Sequence, residues 1–132
     1  MRQPAIGIAA LVIREGKLLL AERRAGKMQG NYAAPGGHLE WMEKFEDAAR
    51  RELREEAGLI ARPEDCEVIG VDQDFAPEED HCWVGIFVRI HSWEGEPKSV
   101  EPDKHGPWEW HPLNALPENT LRPIKRIVWR WI

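Results

Sequence analysis

The segment Gly37-His38-Leu39-Glu40-Trp41-Met42-Glu43-Lys44-Phe45-Glu46-Asp47-Ala48-Ala49-Arg50-Arg51-Glu52-Leu53-Arg54-Glu55-Glu56-Ala57-Gly58-Leu59 decides how this chain is read. From about Lys44 to Ala57 its pattern is helical, and Gly58 stands where a helix C-terminal glycine belongs. At about 100° per residue, Phe45, Ala48, Ala49, Leu53 and Ala57 fall on one apolar stripe that should face the rest of the protein. The same rotation gathers Glu52, Glu55 and Glu56 within an arc of about 100° that overlaps one edge of the stripe. Three carboxylates are therefore expected beside the protein body. Glu52 and Glu56 form a like-charge pair at i, i+4, which opposes helix formation by roughly 0.2–0.5 kcal/mol even in solvent. Partial burial costs more. A divalent cation removes the conflict, because hard ions such as Mg²⁺ take carboxylate ligands together with substrate phosphates. Alone, the helix also fits a solvated Glu/Arg face with an Arg51–Glu55 pair, and the residues around it decide between the two.

Outward from the helix, Ala5 to Arg14 and Lys17 to Glu22 read as two β-strands joined at Glu15-Gly16. Arg23 to Asn31 reads as a loop, and Tyr32-Ala33-Ala34 leads to the breaker Pro35-Gly36-Gly37 with a short strand over His38 to Glu40. Cys66 to Phe75, Cys82 to Ser92 and the shorter Trp108 to His111 are β-rich, and Thr120 to Ile132 closes the chain as a helix. This order predicts an α/β (α+β) protein with a mixed sheet sandwiched between helices.

The 132 residues correspond to a single domain with one substantial core. Hydrophobic and charged contents of 42% and 31% are those of a soluble globular protein. No apolar run approaches the ~20 residues of a membrane span. After the apolar start, Arg14, Glu15 and Lys17 replace a cleavage site, so the opening reads as a strand of a cytoplasmic protein. Cys66 and Cys82 are too few for a disulfide framework and read as plain thiols. The net charge of −5 argues against long nucleic acids as partners. An acidic protein that handles a polyphosphate needs cations between itself and the ligand.

From Gly37 through Glu43, Arg51-Glu52-Leu53 and Glu55-Glu56 to Gly58-Leu59, the spacing resembles the Nudix box at every defining position. A chance match has a probability on the order of 10⁻⁷ or below at background residue frequencies. The resemblance implies the Nudix fold and cleavage of a diphosphate linkage in a nucleotide-like substrate. It also implies Mg²⁺ or Mn²⁺ held by Glu52, Glu55 and Glu56, with the Gly37 carbonyl adding a ligand. In the same way, Arg51 and Glu43 would orient the carboxylates, and Glu55 or Glu56 would be the base for a metal-activated water. Met42 and Lys44 stand where many members have Gly and Ser or Thr, which removes the usual N-cap side chain of the helix.

Pro35-Gly36-Gly37-His38-Leu39-Glu40, the stretch from Glu96 to Lys104, Trp108-Glu109-Trp110 and Leu116-Pro117 resemble the MutT-like nucleoside triphosphate diphosphatases, including the human member that hydrolyses thiopurine nucleotides. That resemblance implies a further acidic residue near the metal or the attacking water, with Glu101 the best match and Asp103 second. It gives Arg23 and Arg24 as phosphate or ribose contacts and a homodimer, as in many relatives, while the abundance of tryptophan itself suggests base stacking, first at Trp83 or Trp108. Burial is the ordinary use of most of the seven tryptophans, and solvation that of loop charges such as Glu78-Glu79-Asp80. The expected reaction converts a nucleoside triphosphate, modified or pyrimidine, to monophosphate and pyrophosphate. An ADP-ribose-like substrate, favoured by Pro77, is an alternative. A non-catalytic nucleotide-binding domain is another, although all the box glutamates are retained.

Overall fold

Side-chain alternation along β1 (Ala5–Arg14) organises the molecule, whose computed structural model describes residues 2–132. Successive side chains of a strand point to opposite faces. Ile8, Ala10 and Val12 therefore enter one apolar cluster, while Ala9, Leu11 and Ile13 belong to a second.

One edge of β1 pairs in parallel with β6 (His81–Ile90), from Ala5 opposite Trp83 to Val12 opposite Ile90. The other edge is shared. The antiparallel strand β4 (Gly36–His38) takes Gly7 to Ala9, and β2 (Lys17–Glu22) takes Ile13 and Arg14 across the Glu15-Gly16 turn. The sheet order is β3 (Tyr32–Ala33), β2, β1, β6, β5 (Cys66–Ala76), and β7 (Glu109–Pro112) pairs with β2. The β1–β6 pair is parallel and the others antiparallel, so the sheet is mixed, as expected.

The crossover between β1 and β6 carries α1 (Phe45–Ala57), whose Ala48, Ala49, Leu53 and Ala57 are buried in the first cluster. Three alanines among these four let the helix backbone approach the sheet. Phe45, placed on the same stripe by its spacing, is instead partly exposed at the helix start. On the opposite face α2 (Arg122–Trp131) buries Ile124 and Ile127 against Leu11, Leu18, Leu20 and Phe87. The result is the predicted sheet between helices.

Several boundaries shift by a residue or two from expectation, and two of the shifts have a clear physical cause. The short strand runs Gly36–His38 instead of His38 to Glu40, because the glycines taken as breakers are themselves paired to β1. The last helix starts at Arg122, not Thr120; Pro123 occupies its first turn, and the Thr120 hydroxyl closes the preceding turn on the Pro117 carbonyl at 2.7 Å.

A buried ion network fixes α2 to β5. Arg126 donates to Asp72 at 2.7 and 2.9 Å and to Asp74 at 2.7 Å, and Arg122 reaches Asp74 at 3.1 Å. Burial pushes the Asp74 carboxyl up, but hydrogen bonds from Arg126 and Arg122 outweigh it and hold the group below the ordinary aspartate value. A depressed carboxyl contributes stability that is complete above its unfolded pKa and is lost as pH falls through the lower folded one. Thermal melts should therefore keep this contribution down to about pH 4, near the unfolded aspartate value, and lose it below. Arg126→Ala leaves the buried Asp72 carboxylate without its partner while the arginine itself is partly solvated, so it should cost about 2 kcal/mol at pH 7 and show a shallower acid limb.

Candidate active site

The floor of the site is β4. A Cβ on Gly36 would lie 2.2 Å from the Ile8 carbonyl oxygen, and one on Gly37 would lie 2.5 Å from Glu52 Oε1. Gly36 has no room for a side chain beside the β1 backbone, whereas a methyl group on Gly37 would displace the Glu52 carboxylate. Above them, the Gly36 N–H donates to Glu56 Oε2 at 2.8 Å, so Glu52 and Glu56 lie across the two glycines.

Helical geometry explains why Glu55 does not join them fully. Glu52 and Glu56 differ by about 40° around the axis, whereas Glu55 is about 100° from Glu56 on the outer side. The Glu52 side chain is 12% exposed and that of Glu55 49%. All three line the cleft, with Glu55 at its rim, so the inward trio of the helical-wheel reading is an inward pair with a third carboxylate at the edge.

Arg51 holds Glu52 in place. Its Nε and Nη2 donate to the two oxygens of Glu43 at 2.7 and 3.0 Å, Nη1 to Glu52 Oε1 at 2.7 Å, and Nη2 also to the His38 carbonyl at 3.1 Å. The Arg51 hydrogen bond pulls the Glu43 carboxyl below its usual range against the opposing effect of burial. Arg51 in turn is raised by Glu43, against burial, with Glu52 adding to the rise. The helix has no side-chain N-cap at Lys44, in line with the residues there, and Met42 adopts φ +65° in the preceding turn.

The Glu56 carboxyl is pushed up to about 9, first by burial and then by the Glu52 and Glu101 charges, against the Gly36 hydrogen bond. Two carboxylates held together in a poorly hydrated cleft form a donor set that suits a hard divalent cation, whose charge replaces the proton. Among the described residues no three acidic, histidine or cysteine side chains form a ready cage. The carboxylates therefore fit a cation that completes its shell with backbone carbonyl, water and substrate oxygens, the habit of Mg²⁺.

The opposite wall is the segment from Glu101 to Trp108. Glu101 lines the cleft and pairs with Lys104 at 3.1 Å; Asp103, the second choice from sequence, is exposed and does not line it. Arg23 lines the cleft as expected. Arg24 does not: its Nη1 donates to the Pro102 carbonyl at 3.2 Å and its N–H to the Lys104 carbonyl at 2.8 Å, so it fastens the Glu101 loop. Trp83 lines the cleft between His38 and His81. Trp108 does too, but its indole N–H donates to the Glu56 carbonyl at 3.0 Å and its ring packs on His105, which ties the wall to α1. Pro77 opens a turn outside the cleft, and the acidic loop beyond it is paired internally through Arg2–Asp80 and Arg122–Glu79. Among the cleft residues that had no role from sequence are Lys104 and His105. Their only signal was position just after Glu101.

The cleft measures about 620 Å³, within the roughly 300–1,000 Å³ of small-molecule sites. No helix among the described residues is long and apolar enough to cross a membrane.

The family model for the NUDIX domain matches residues 1–132. The chain is 32% identical over 118 residues to the ADP-ribose pyrophosphatase of Methanocaldococcus jannaschii, covering 87% of this chain and 66% of that one, slightly under two thirds of its length. It is 32% identical over 120 residues to the CTP pyrophosphohydrolase of Escherichia coli K12, covering 87% and 78%. A crystal structure of a MutT NUDIX hydrolase from Burkholderia pseudomallei superposes with a TM-score of 0.90 at 29% identity over 98% of each chain.

The two glycines separate fold from site. Gly36→Ala should unfold the protein or cost about 3 kcal/mol or more, since the new Cβ meets backbone. Gly37→Ala meets only the end of a flexible side chain; it should melt within about 1 kcal/mol of the wild type yet weaken Mn²⁺ binding in a titration. Met42→Gly should raise stability by about 0.5–1 kcal/mol in denaturant melts, because glycine carries no side-chain penalty at that φ.

Proposed function

The chain belongs to the NUDIX domain family, and on that premise we propose that it hydrolyses a nucleoside triphosphate to the monophosphate and pyrophosphate. The observation that carries this reading is the Glu52–Glu56 pair crossing Gly36 and Gly37 on the floor of a nucleotide-sized cleft. Glu52 and Glu56, with Glu55 at the rim and the Gly37 carbonyl, would hold Mg²⁺ or Mn²⁺. When bound, the cation neutralises charge on the diphosphate and acidifies a water. Arg51 keeps Glu52 aimed and prevents the carboxylates from splaying. Glu56 or Glu55 takes the proton of the attacking water, and Glu101 faces the same space from the opposite wall. Arg23 and Lys104 place positive charge where phosphate oxygens enter an otherwise acidic cleft. Trp83 offers an aromatic surface to the base.

A second reading, hydrolysis of an ADP-ribose-like conjugate, is favoured by the archaeal relative's activity. The two are separated by turnover with Mg²⁺ over nucleoside triphosphates and diphosphate conjugates, with products resolved by charge. We expect pyrophosphate from triphosphates, no turnover in EDTA, and recovery with Mg²⁺ or Mn²⁺. Orthophosphate as the product, or preference for the conjugates, would replace the triphosphate reading. Glu56→Gln should lower kcat on the order of 10²–10³-fold with nucleotide affinity retained. A wild type that binds nucleotides but hydrolyses none would mark a binding domain.

A further inference from the structure

The wall of the cleft contains a buried nitrogen that nothing in the protein satisfies. His105 is 4% exposed and lines the cleft between Glu101 and Trp108. Its ring is fixed on two sides, with Trp108 at 4.6 Å between centroids and Nδ1 2.9 Å from the Gly106 carbonyl oxygen. That oxygen can only accept, so Nδ1 carries the hydrogen and the neutral ring presents the Nε2 lone pair. The backbone of His105 bridges to Arg23, which roots the residue in the wall, and burial against Trp108 restrains the ring itself. Nε2 has no hydrogen-bond partner. His111 Nε2, the other such atom among the described residues, lies on β7 outside the cleft with the Glu109 carboxylate 3.6 Å away.

Buried polar atoms are almost always paired, and one left unpaired is a standing cost. Nε2 is thus an acceptor awaiting a donor. Ionised phosphate oxygens only accept, so the triphosphate has nothing to give it; the donors of a nucleotide are the sugar hydroxyls and the N–H groups of the base.

We propose that His105 is a specificity-determining residue whose Nε2 accepts a hydrogen bond from an O–H or N–H of the substrate's nucleoside half. The proposal rests on the reading that the cleft binds a nucleotide. The bond forms only when such a donor enters, so it selects for nucleosides that carry one and acts on binding without touching the reacting phosphates.

The test compares wild type, His105→Phe and His105→Gln in calorimetric titrations with a non-hydrolysable α,β-methylene triphosphate, and in turnover for kcat and KM. Phenylalanine keeps the contact with Trp108 and removes the acceptor; glutamine restores an oxygen near the Nε2 position. We expect His105→Phe to weaken binding about tenfold and to raise KM with kcat nearly unchanged, and His105→Gln to recover most of the loss. Wild type alone gives a second arm, requiring no folded variant. A 2′,3′-dideoxy analogue should bind about tenfold more weakly if a sugar hydroxyl is the donor, and an N-methylated base should do so if the base is. Indifference of the wild type to both analogues would overturn the proposal, as would a loss in kcat shared equally by all substrates. A wild type that binds nucleotides but hydrolyses none overturns the hydrolysis reading and leaves this test intact. One that binds no nucleotide overturns both.

Discussion

Gly36 runs so close to β1 that there is no room for a side chain between it and the Ile8 carbonyl, and this approach sets the height of the site floor. With β4 pinned, the Gly36 N–H reaches up to Glu56, and the empty face of Gly37 is where Glu52 lies. The alanines on the inner face of α1 let the helix descend far enough for its carboxylates to reach that strand. Arg51 then compensates for what the descent creates. It answers the negative charge of Glu52 from the side and braces itself on Glu43 and the His38 carbonyl. Widening any of these gaps by one methyl group would leave the acidic pair hydrated and separate.

The resulting electrostatics resolve the puzzle posed by an acidic chain that handles polyphosphates. Negative charge is concentrated at Glu52 and Glu56, where a cation is wanted, and the same cleft carries positive groups suited to a polyanion, with Lys104 beside Glu101 and Arg23 also on its lining.

Much of this was legible in the sequence because its signals were local. The apolar β-rich run of Ala5 to Arg14, the period of the Ala48–Ala57 stripe and the uninterrupted box spacing each depend on neighbours within a few turns, and the strand and helix they indicate are present. What escaped reading depends on contacts distant in sequence. Gly36 and Gly37 are turn residues by composition, and only the approach of Ile8 makes them a strand. Arg24 has the chemistry of a phosphate ligand, but its guanidinium lies against the Pro102 carbonyl and its backbone N–H bonds the Lys104 carbonyl, away from the cleft lining. His105 carries no spacing signature at all; its significance lies in a nitrogen left unpaired after every neighbour has been placed. The outward position of Glu55 was readable in principle, since the angle separating it from Glu56 follows from the helix period alone.

The parallel pairing of β1 with β6 has a consequence for how the molecule is made. Everything that forms the floor of the cleft, from β1 through α1, lies in the first half of the chain and can associate through short-range contacts. The second edge of β1 must wait for β6, whose residues follow the whole intervening crossover. Non-local pairing of this kind is slow to close, and domains emerge from synthesis N-terminus first. A nascent chain therefore passes through a stage with its box helix and glycine strand assembled and an apolar β1 edge open to water. The rate of that zippering, as well as the equilibrium strength of the finished core, therefore bears on how long an aggregation-prone edge stays exposed in the newly made protein.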